Sequence, residues 1–308
     1  MTQKQFCRTL LAGAACSLAA CVGGGGGGGG IASVSPSPPL PPPAPPPSPP
    51  QPTAISIFPL VTANTDFAVL GYEVNTRGPA GAIVGDGFAI SYDATSKVYT
   101  IDVPFAPPGT FTVSDTTDSR YFACPNNCSL ALDIVKPSAL DPVLDYVTLA
   151  SYYEYDWSGG EPFGYFAFGI PTTAGNVPVI GSASYKASVL GTTLDPTYDI
   201  RGSATLQFNF AGGTLAGTLN PILLEYGANA TVETVLPIYS FVNTVFGIGS
   251  TSFSGGLQTP GTNTLGSFNG IFMGPIAQEV AARWTAPYYN PRLQRWSTML
   301  GVMAGKKQ

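Results

Sequence analysis

The sequence predicts an all-β protein: a β-rich domain followed by an eight-stranded antiparallel β-barrel, the two preceded by a Gly/Pro-rich tether. Three observations predict it. From residue 53 onward, apolar and polar residues alternate in short runs broken by Gly, Pro, Asn and Asp, the pattern of half-buried strands. Few segments space their apolar residues as a helix would. The runs of the second half are regular, each closed by a turn signal, and several carry Gly inside the strand, as the bent strands of a small barrel do. Of the 308 residues 44% are hydrophobic, enough for a core, and only 10% are charged, against about 25% in an ordinary soluble domain.

The first 20 residues form an export signal, with Lys4 and Arg8 ahead of a short apolar stretch from Thr9 to Leu18. That stretch is too short to span a bilayer, which takes about 20 apolar residues. It ends in Leu18-Ala19-Ala20-Cys21, which resembles the lipobox of bacterial lipoproteins. The resemblance implies cleavage before Cys21 and acylation of that residue; several acyl chains hold a protein on a bilayer where one would not. Val22, in place of Asp, points in that family to the outer membrane. Cys16 fits less well, because Gly13 stands where Leu18 stands for Cys21.

Residues 21–52 are a linker. Gly23 to Gly30 lack the spaced glycines and the Lys-Ser/Thr of a phosphate loop, so they read as a flexible tether. Twelve prolines follow between Pro36 and Pro52. At about 3.1 Å per residue in the polyproline II form, the 17 residues from Pro36 would reach roughly 50 Å, a spacer that lifts a domain off a membrane.

Residues 53–163 make the first β-rich domain. Phe88 to Asp93 and Val98 to Val103 flank Ala94-Thr-Ser-Lys97 as a hairpin. Phe111-Thr-Val113 and Tyr146 to Tyr155 continue the pattern, and Pro137 to Asp145 is a connection or a single helical turn. Residues 164–308 supply the barrel. Its expected strands are 164–170, 180–190, 199–210, 214–219, 238–246, 265–272, 279–285 and 296–305, with Ala211-Gly-Gly-Thr214 as a tight turn. Eight strands without a sustained helix suggest closure, which removes exposed sheet edges.

The barrel segment also resembles a known family. Gly169-Ile-Pro-Thr172, Gly181-Ser-Ala-Ser-Tyr185, Tyr198-Asp-Ile-Arg-Gly202 continuing to Leu219, Gly266-Ser-Phe-Asn-Gly270 continuing to Val280, and the terminal Leu300-Gly-Val-Met-Ala-Gly-Lys-Lys307 are similar to the β-barrel domain of transferrin-binding protein B-like surface lipoproteins. The resemblance implies an eight-stranded barrel preceded by a β-rich "handle", both hung from a lipidated cysteine. Residues 53–163 would be that handle. It further implies binding of host iron proteins, haem or other macromolecules at the cell surface, often with transfer to an outer-membrane transporter. In relatives the motif holding Glu279 is structural. Many relatives carry Gly-Gly after the Glu-Val, where this chain has Ala281-Ala282-Arg283-Trp284.

Composition bounds the chemistry. The chain contains no histidine. That excludes Ser-His-Asp and Cys-His catalytic units, His-ligated zinc and a proximal-His haem site. A net charge of −5 argues against a nucleic-acid partner. No cofactor and no metal site is expected. Cys124 and Cys128, flanking Pro-Asn-Asn in an exported region, suggest a disulfide that shapes a loop tip. The segment from Tyr152 to Phe166 is the densest aromatic patch. At strand spacing Tyr153, Tyr155 and Trp157 share one face, and Tyr152, Glu154 and Asp156 the other. The first three are candidate binding residues for a protein, a sugar or a flat ligand; the competing reading makes them core between handle and barrel. Glu154, Asp156 and Glu161 allow a carboxylate-pair hydrolase, although no spacing fixes a distance between them. No acid follows Glu279, whereas Arg283, Arg292, Arg295, Lys306 and Lys307 do; this basic end is read as neutralising acids around the barrel rim, the alternative being contact with an anionic surface such as lipopolysaccharide. The sequence therefore predicts a binding protein rather than an enzyme, lipid-anchored in the outer membrane and facing the cell surface rather than the periplasm. The alternative is a structural envelope lipoprotein without a small ligand.

Overall fold

The structure is a computed structural model, which describes residues 63–75, 82–104, 106–112, 115–116, 120–123, 130–154, 162–194, 198–226, 231–290 and 293–308. Cys21 and the tether, Cys124, Cys128, Tyr155, Asp156, Trp157, Glu161 and Arg292 lie outside the described residues. The described fold is all-β, with a single 3-10 turn at Pro137–Ala139 in the segment expected to be a connection or a single helical turn.

Ten strands form the first sheet: β1 (Thr65–Asn75), β2 (Ala82–Val84), β3 (Ala89–Asp93), β4 (Val98–Val103), β5 (Ala106–Phe111), β6 (Asp115–Thr116), β7 (Arg120–Ala123), β8 (Leu130–Val135), β9 (Val147–Glu154) and β10 (Phe163–Gly169). Their order is β5-β4-β3-β1-β10-β9-β8-β7-β6, with β2 also on β1. The expected hairpin is β3–β4. Its turn is closed by Asp93, whose Oδ1 accepts the N–H groups of Thr95 (2.7 Å) and Ser96 (3.0 Å), and Lys97 takes the positive φ of 60° that ends the turn. The strand expected at 111–113 ends at Phe111 and begins at Ala106 instead.

The second sheet closes on itself. β11 (Ser182–Thr193), β12 (Asp199–Asn209), β13 (Thr214–Tyr226), β15 (Tyr239–Val245), β16 (Ser252–Gln258), β17 (Leu265–Met273), β18 (Glu279–Asn290) and β19 (Arg295–Lys307) form an antiparallel ring, and β14 (Thr231–Val235) extends β13 outside it. The ring runs β12-β11-β19-β18-β17-β16-β15-β13 and returns to β12. The narrowest seam joins β13 to β15 at Thr218↔Ser240 and Leu219↔Tyr239.

The expected number of barrel strands holds, but two members differ. The segment at 164–170, expected to open the barrel, is β10 and pairs with β1 and β9 in the first sheet. Its run Phe-Gly-Tyr-Phe-Ala-Phe-Gly is buried at every position, so it needs cover on both faces, which only a central strand of a packed sheet receives. The strand not foreseen is β16. Gly255 and Gly256 interrupt its apolar alternation, yet it pairs along its length with β17.

Three apolar layers result. The barrel interior is filled by side chains, among them Trp284, Tyr185, Phe208, Phe272 and Met303. The tips of its tyrosines are satisfied: Tyr185 donates to the carbonyl of Ala277 (2.6 Å) and Tyr239 to that of Pro287 (2.9 Å). A second layer holds Phe67, Ile101, Leu132, Tyr152, Phe166 and Phe168 on one face of the first sheet. The third joins sheet to barrel: Leu149, Phe163, Tyr165 and Ala167 from the sheet pack with Leu190, Ala281, Leu300 and Val302 from the barrel's outer face. Successive side chains of β10 point to opposite faces and thus serve two layers at once.

Candidate functional site

Between the first sheet and the barrel lies a cleft of about 580 Å³, which shares Tyr165 and Leu190 with this third layer. Strands β7 to β10 supply Arg120, Ala131, Asp133, Ser151, Tyr153 and Tyr165; β11 to β13 supply Leu190, Asp199, Arg201 and Tyr226. Register explains the sheet side. Ala131 faces Tyr153 across the β8–β9 pair, Asp133 faces Ser151, and Ser151 faces Tyr165 on β10. These residues therefore point to one face, while Leu130, Leu132, Tyr152 and Phe166 point into the core behind.

The polar groups of the cleft are paired in a defined way. Arg120 forms an ion pair with Oδ2 of Asp133. Oδ1 of Asp133 is buried and has no hydrogen-bond partner among the described residues. Burial raises the Asp133 pKa, against the pull of Arg120 and then Arg201. Asp199 accepts the hydroxyls of Tyr226 (2.9 Å) and Tyr165 (3.3 Å). Burial, and then the charge of Asp199, push the Tyr165 hydroxyl well above its ordinary value. A second depression of about 490 Å³ over β11, β12 and β13 has no charged lining residue, so the charged constellation belongs to the cleft alone among these two.

Of the candidate binding residues, Tyr153 lies in the cleft and is 42% exposed. Its ring lies against Phe163, its partner across β9–β10, at 5.4 Å and 19°. The facing pattern expected at 152–154 is observed. Tyr152 and Glu154 are buried, and the Tyr152 hydroxyl donates to the buried Glu73. Sequence reasoning missed Arg120, Asp133, Asp199, Arg201 and Tyr226. Asp133 left one trace, a lone acid inside the apolar run Leu130-Ala-Leu-Asp-Ile-Val135.

Two charged residues of β18 tie the barrel to the first sheet and its connections. Glu279 is fully buried, and its carboxylate accepts three backbone N–H groups at the start of β9: Asp145 (2.7 Å), Tyr146 (2.8 Å) and Val147 (3.1 Å). Lys306 pairs with Asp145 at 2.5 Å beside it. Burial pushes the Glu279 carboxyl up to about 7, against the hydrogen bonds that favour its ionised form. The structural role implied for this motif is thus a joint between sheet and barrel. Arg283 donates to the carbonyl of Gly85 and to Asn269 (2.8 Å), pairs with Asp86 (3.1 Å) and lies over the ring of Tyr72 at 5.3 Å. Of the basic C-terminal residues, Arg283 and Lys306 therefore neutralise acids of the first sheet and its connections rather than of the barrel rim.

No family model and no curated protein matches the chain. Among solved structures it is similar to transferrin-binding protein B of Haemophilus parasuis, with 10% identity and a TM-score of 0.46 over 78% of this chain and 45% of that one. It is also similar to transferrin-binding protein B of Neisseria meningitidis, with 13% identity and a TM-score of 0.45 over 78% of this chain and 44% of that one. A third is the protein of the same name from Actinobacillus pleuropneumoniae, with 15% identity and a TM-score of 0.40 over 78% of this chain and 100% of that one. The chain spans less than half the length of the first two. The family that the barrel motifs resemble is the one for which all three of these solved proteins are named.

Proposed function

We propose that this chain is a lipoprotein, anchored in the outer membrane through acylated Cys21, that binds a macromolecular ligand at the cell surface through the cleft between handle and barrel. The observation that carries the reading is the convergence there of open tyrosine rings with arginines and carboxylates. Tyr226 is 62% exposed and Tyr153 42%. Tyr and Arg are enriched at recognition surfaces because they join apolar area to directed hydrogen bonds. The lipobox and the long Gly/Pro tether support presentation away from a membrane. The reading is binding rather than catalysis, since the chain has no histidine to serve as the base of a Ser or Cys nucleophile. Host iron proteins are the first partners to test, because the barrel motifs resemble a family that captures them.

The test uses the purified full chain on a biosensor surface, with a transferrin, a lactoferrin and haem in solution. One of them should bind saturably, and the double variant Tyr153→Ala, Tyr226→Ala should weaken it at least tenfold. Binding indifferent to that variant would move the site elsewhere, and no binding by any of the three would remove the iron-protein version. Anchoring is checked separately: Cys21→Ser should shift the protein from the membrane to the soluble fraction, and protease added to intact cells should cut the wild-type tether.

A further inference from the structure

Among the described residues, β14 lies outside the barrel ring and pairs along one edge only, with β13. Its register runs Ile222↔Val235, Leu224↔Glu233 and Tyr226↔Thr231. One step further, the Leu236 N–H donates to the Pro221 carbonyl at 3.1 Å. That bond fixes the phase of the ladder. In an antiparallel pair, opposed residues that bond each other alternate with opposed residues whose backbone groups point away from each other. Val232 and Thr234 therefore bond β13. The N–H and C=O groups of Thr231, Glu233 and Val235 point to the opposite edge, where no described residue pairs with them.

This edge is open and unguarded. Thr231, Val232, Glu233 and Val235 are exposed, Val235 at 79%. Proteins usually blunt a strand edge with proline, lysine, a bulge or a very short strand. The first sheet follows that rule: its terminal strand β5 carries Pro107 and Pro108, and β6 at the other end has two residues. β14 reads Thr-Val-Glu-Thr-Val, with no proline, lysine or glycine. Its β-branched residues favour the extended form, and its outward N–H and C=O groups are a template for a further strand.

We propose that the β14 edge takes an extended peptide segment of the partner as an added strand, and that this segment carries a basic residue with an apolar residue two positions to either side. Backbone bonds to Glu233 and Val235 supply the affinity, and opposed side chains select the sequence. A lysine or arginine across from Glu233 meets an exposed carboxylate that pairs with no cation among the described residues. The same row runs back through Leu224 to a second acid, Asp199. An apolar residue across from Val235 covers that side chain and lies in line with Ile222. A pattern symmetric about the basic residue suits either strand direction. A second copy of this chain fits less well: pairing β14 with itself along its full length sets Glu233 against Glu233, and like charges so opposed are destabilising. The edge adjoins the cleft, since the cleft residue Tyr226 opposes Thr231. The inference rests on the chain being a binding protein, but not on the cleft being its site.

The test titrates the isotope-labelled full chain with the peptide Ser-Val-Thr-Lys-Thr-Val-Ser and follows amide shifts and residue-resolved hydrogen exchange by NMR. In the free chain the amides of Glu233 and Val235 should exchange faster than those of Val232 and Thr234, and saturating peptide should slow them by about tenfold. The same peptide with Glu for Lys should bind about tenfold more weakly, and Glu233→Lys should reverse that preference. Val235→Pro removes an edge N–H without touching the bonds to β13 and should weaken the peptide about tenfold, whereas Val235→Thr should stay within about twofold. Near-UV circular dichroism confirms that each variant is folded. Protection of Glu233 and Val235 in the free chain, peptide binding that leaves them unprotected, or indifference to both Val235→Pro and the Glu peptide would overturn the inference. So would protection that grows with protein concentration alone, which would give the edge to a second copy. The two proposals fail distinguishably. If a partner needs Tyr153 and Tyr226 but the peptide does not bind, the cleft stands and the edge is excluded. If the peptide protects the edge and Tyr153→Ala leaves its affinity unchanged, the edge is supported whatever the cleft binds.

Discussion

Glu279 shows how one residue can be both essential to the architecture and held at a disadvantage. Its carboxylate joins the barrel to the start of β9 through three N–H groups, yet burial lifts its pKa from the ordinary 4.5 to about 7. Below pH 4.5 the group is protonated in both folded and unfolded chains. Between 4.5 and 7 the folded chain holds more protons than the unfolded one, so stability falls as pH rises, and it levels off above about 7. Asp133, also raised by burial, acts in the same direction. The wild-type melting temperature, less that of Glu279→Gln, should therefore decline from pH 4.5 to 7 and stay constant from 7 to 8. Thermal melts followed by circular dichroism across that range check it; a difference that rises with pH would contradict the burial account.

Elements show a different constraint, close approach. Gly191 on β11 and Gly301 on β19 face each other in register. A Cβ on Gly301 would lie 2.7 Å from the Gly191 Cα and closer still to the Leu190 carbonyl. The backbone of both strands stands in the way, and no side chain can yield. Gly301→Ala should cost about 1–3 kcal/mol as overpacking, read from the urea midpoint. By contrast, Trp284→Ala empties the centre of the barrel and should cost about 3–5 kcal/mol. β10 and β16 explain why strand membership was harder to read than strand count. A strand buried on both faces carries no alternation, and one interrupted by two glycines carries too little.

For the molecule as a whole, sheet and barrel share an apolar layer and two polar joints, so they should unfold together. Calorimetry of the wild type should show one transition. Arg283→Ala removes the donor to Gly85 and the pair with Asp86, and should lower stability by about 2–3 kcal/mol. Leu300→Asp places a charge in the layer between sheet and barrel and should split the transition in two. A single unchanged transition in both variants would mean that the layer does not couple the halves. The cleft belongs to the same junction, because its lining comes from both sheet and barrel and includes Tyr165 and Leu190 of that layer.

Local pattern determined a good deal. Alternation and turn residues fixed the all-β class, the β3–β4 hairpin and most barrel strands, since period and turn chemistry are properties of neighbours in the chain. The facing of Tyr152 against Tyr153 was legible for the same reason. The cleft was not. Asp133 and Arg201 are 68 positions apart in the sequence; they line one hollow only because β8 sits in the sheet and β12 on the barrel wall that faces it. Glu279 was legible as part of a structural motif, but its three partners lie more than 130 residues earlier. Long-range juxtaposition depends on how two sheets pack, and burial, which sets both the hydrogen bonds and the pKa of such groups, exists only once they have packed.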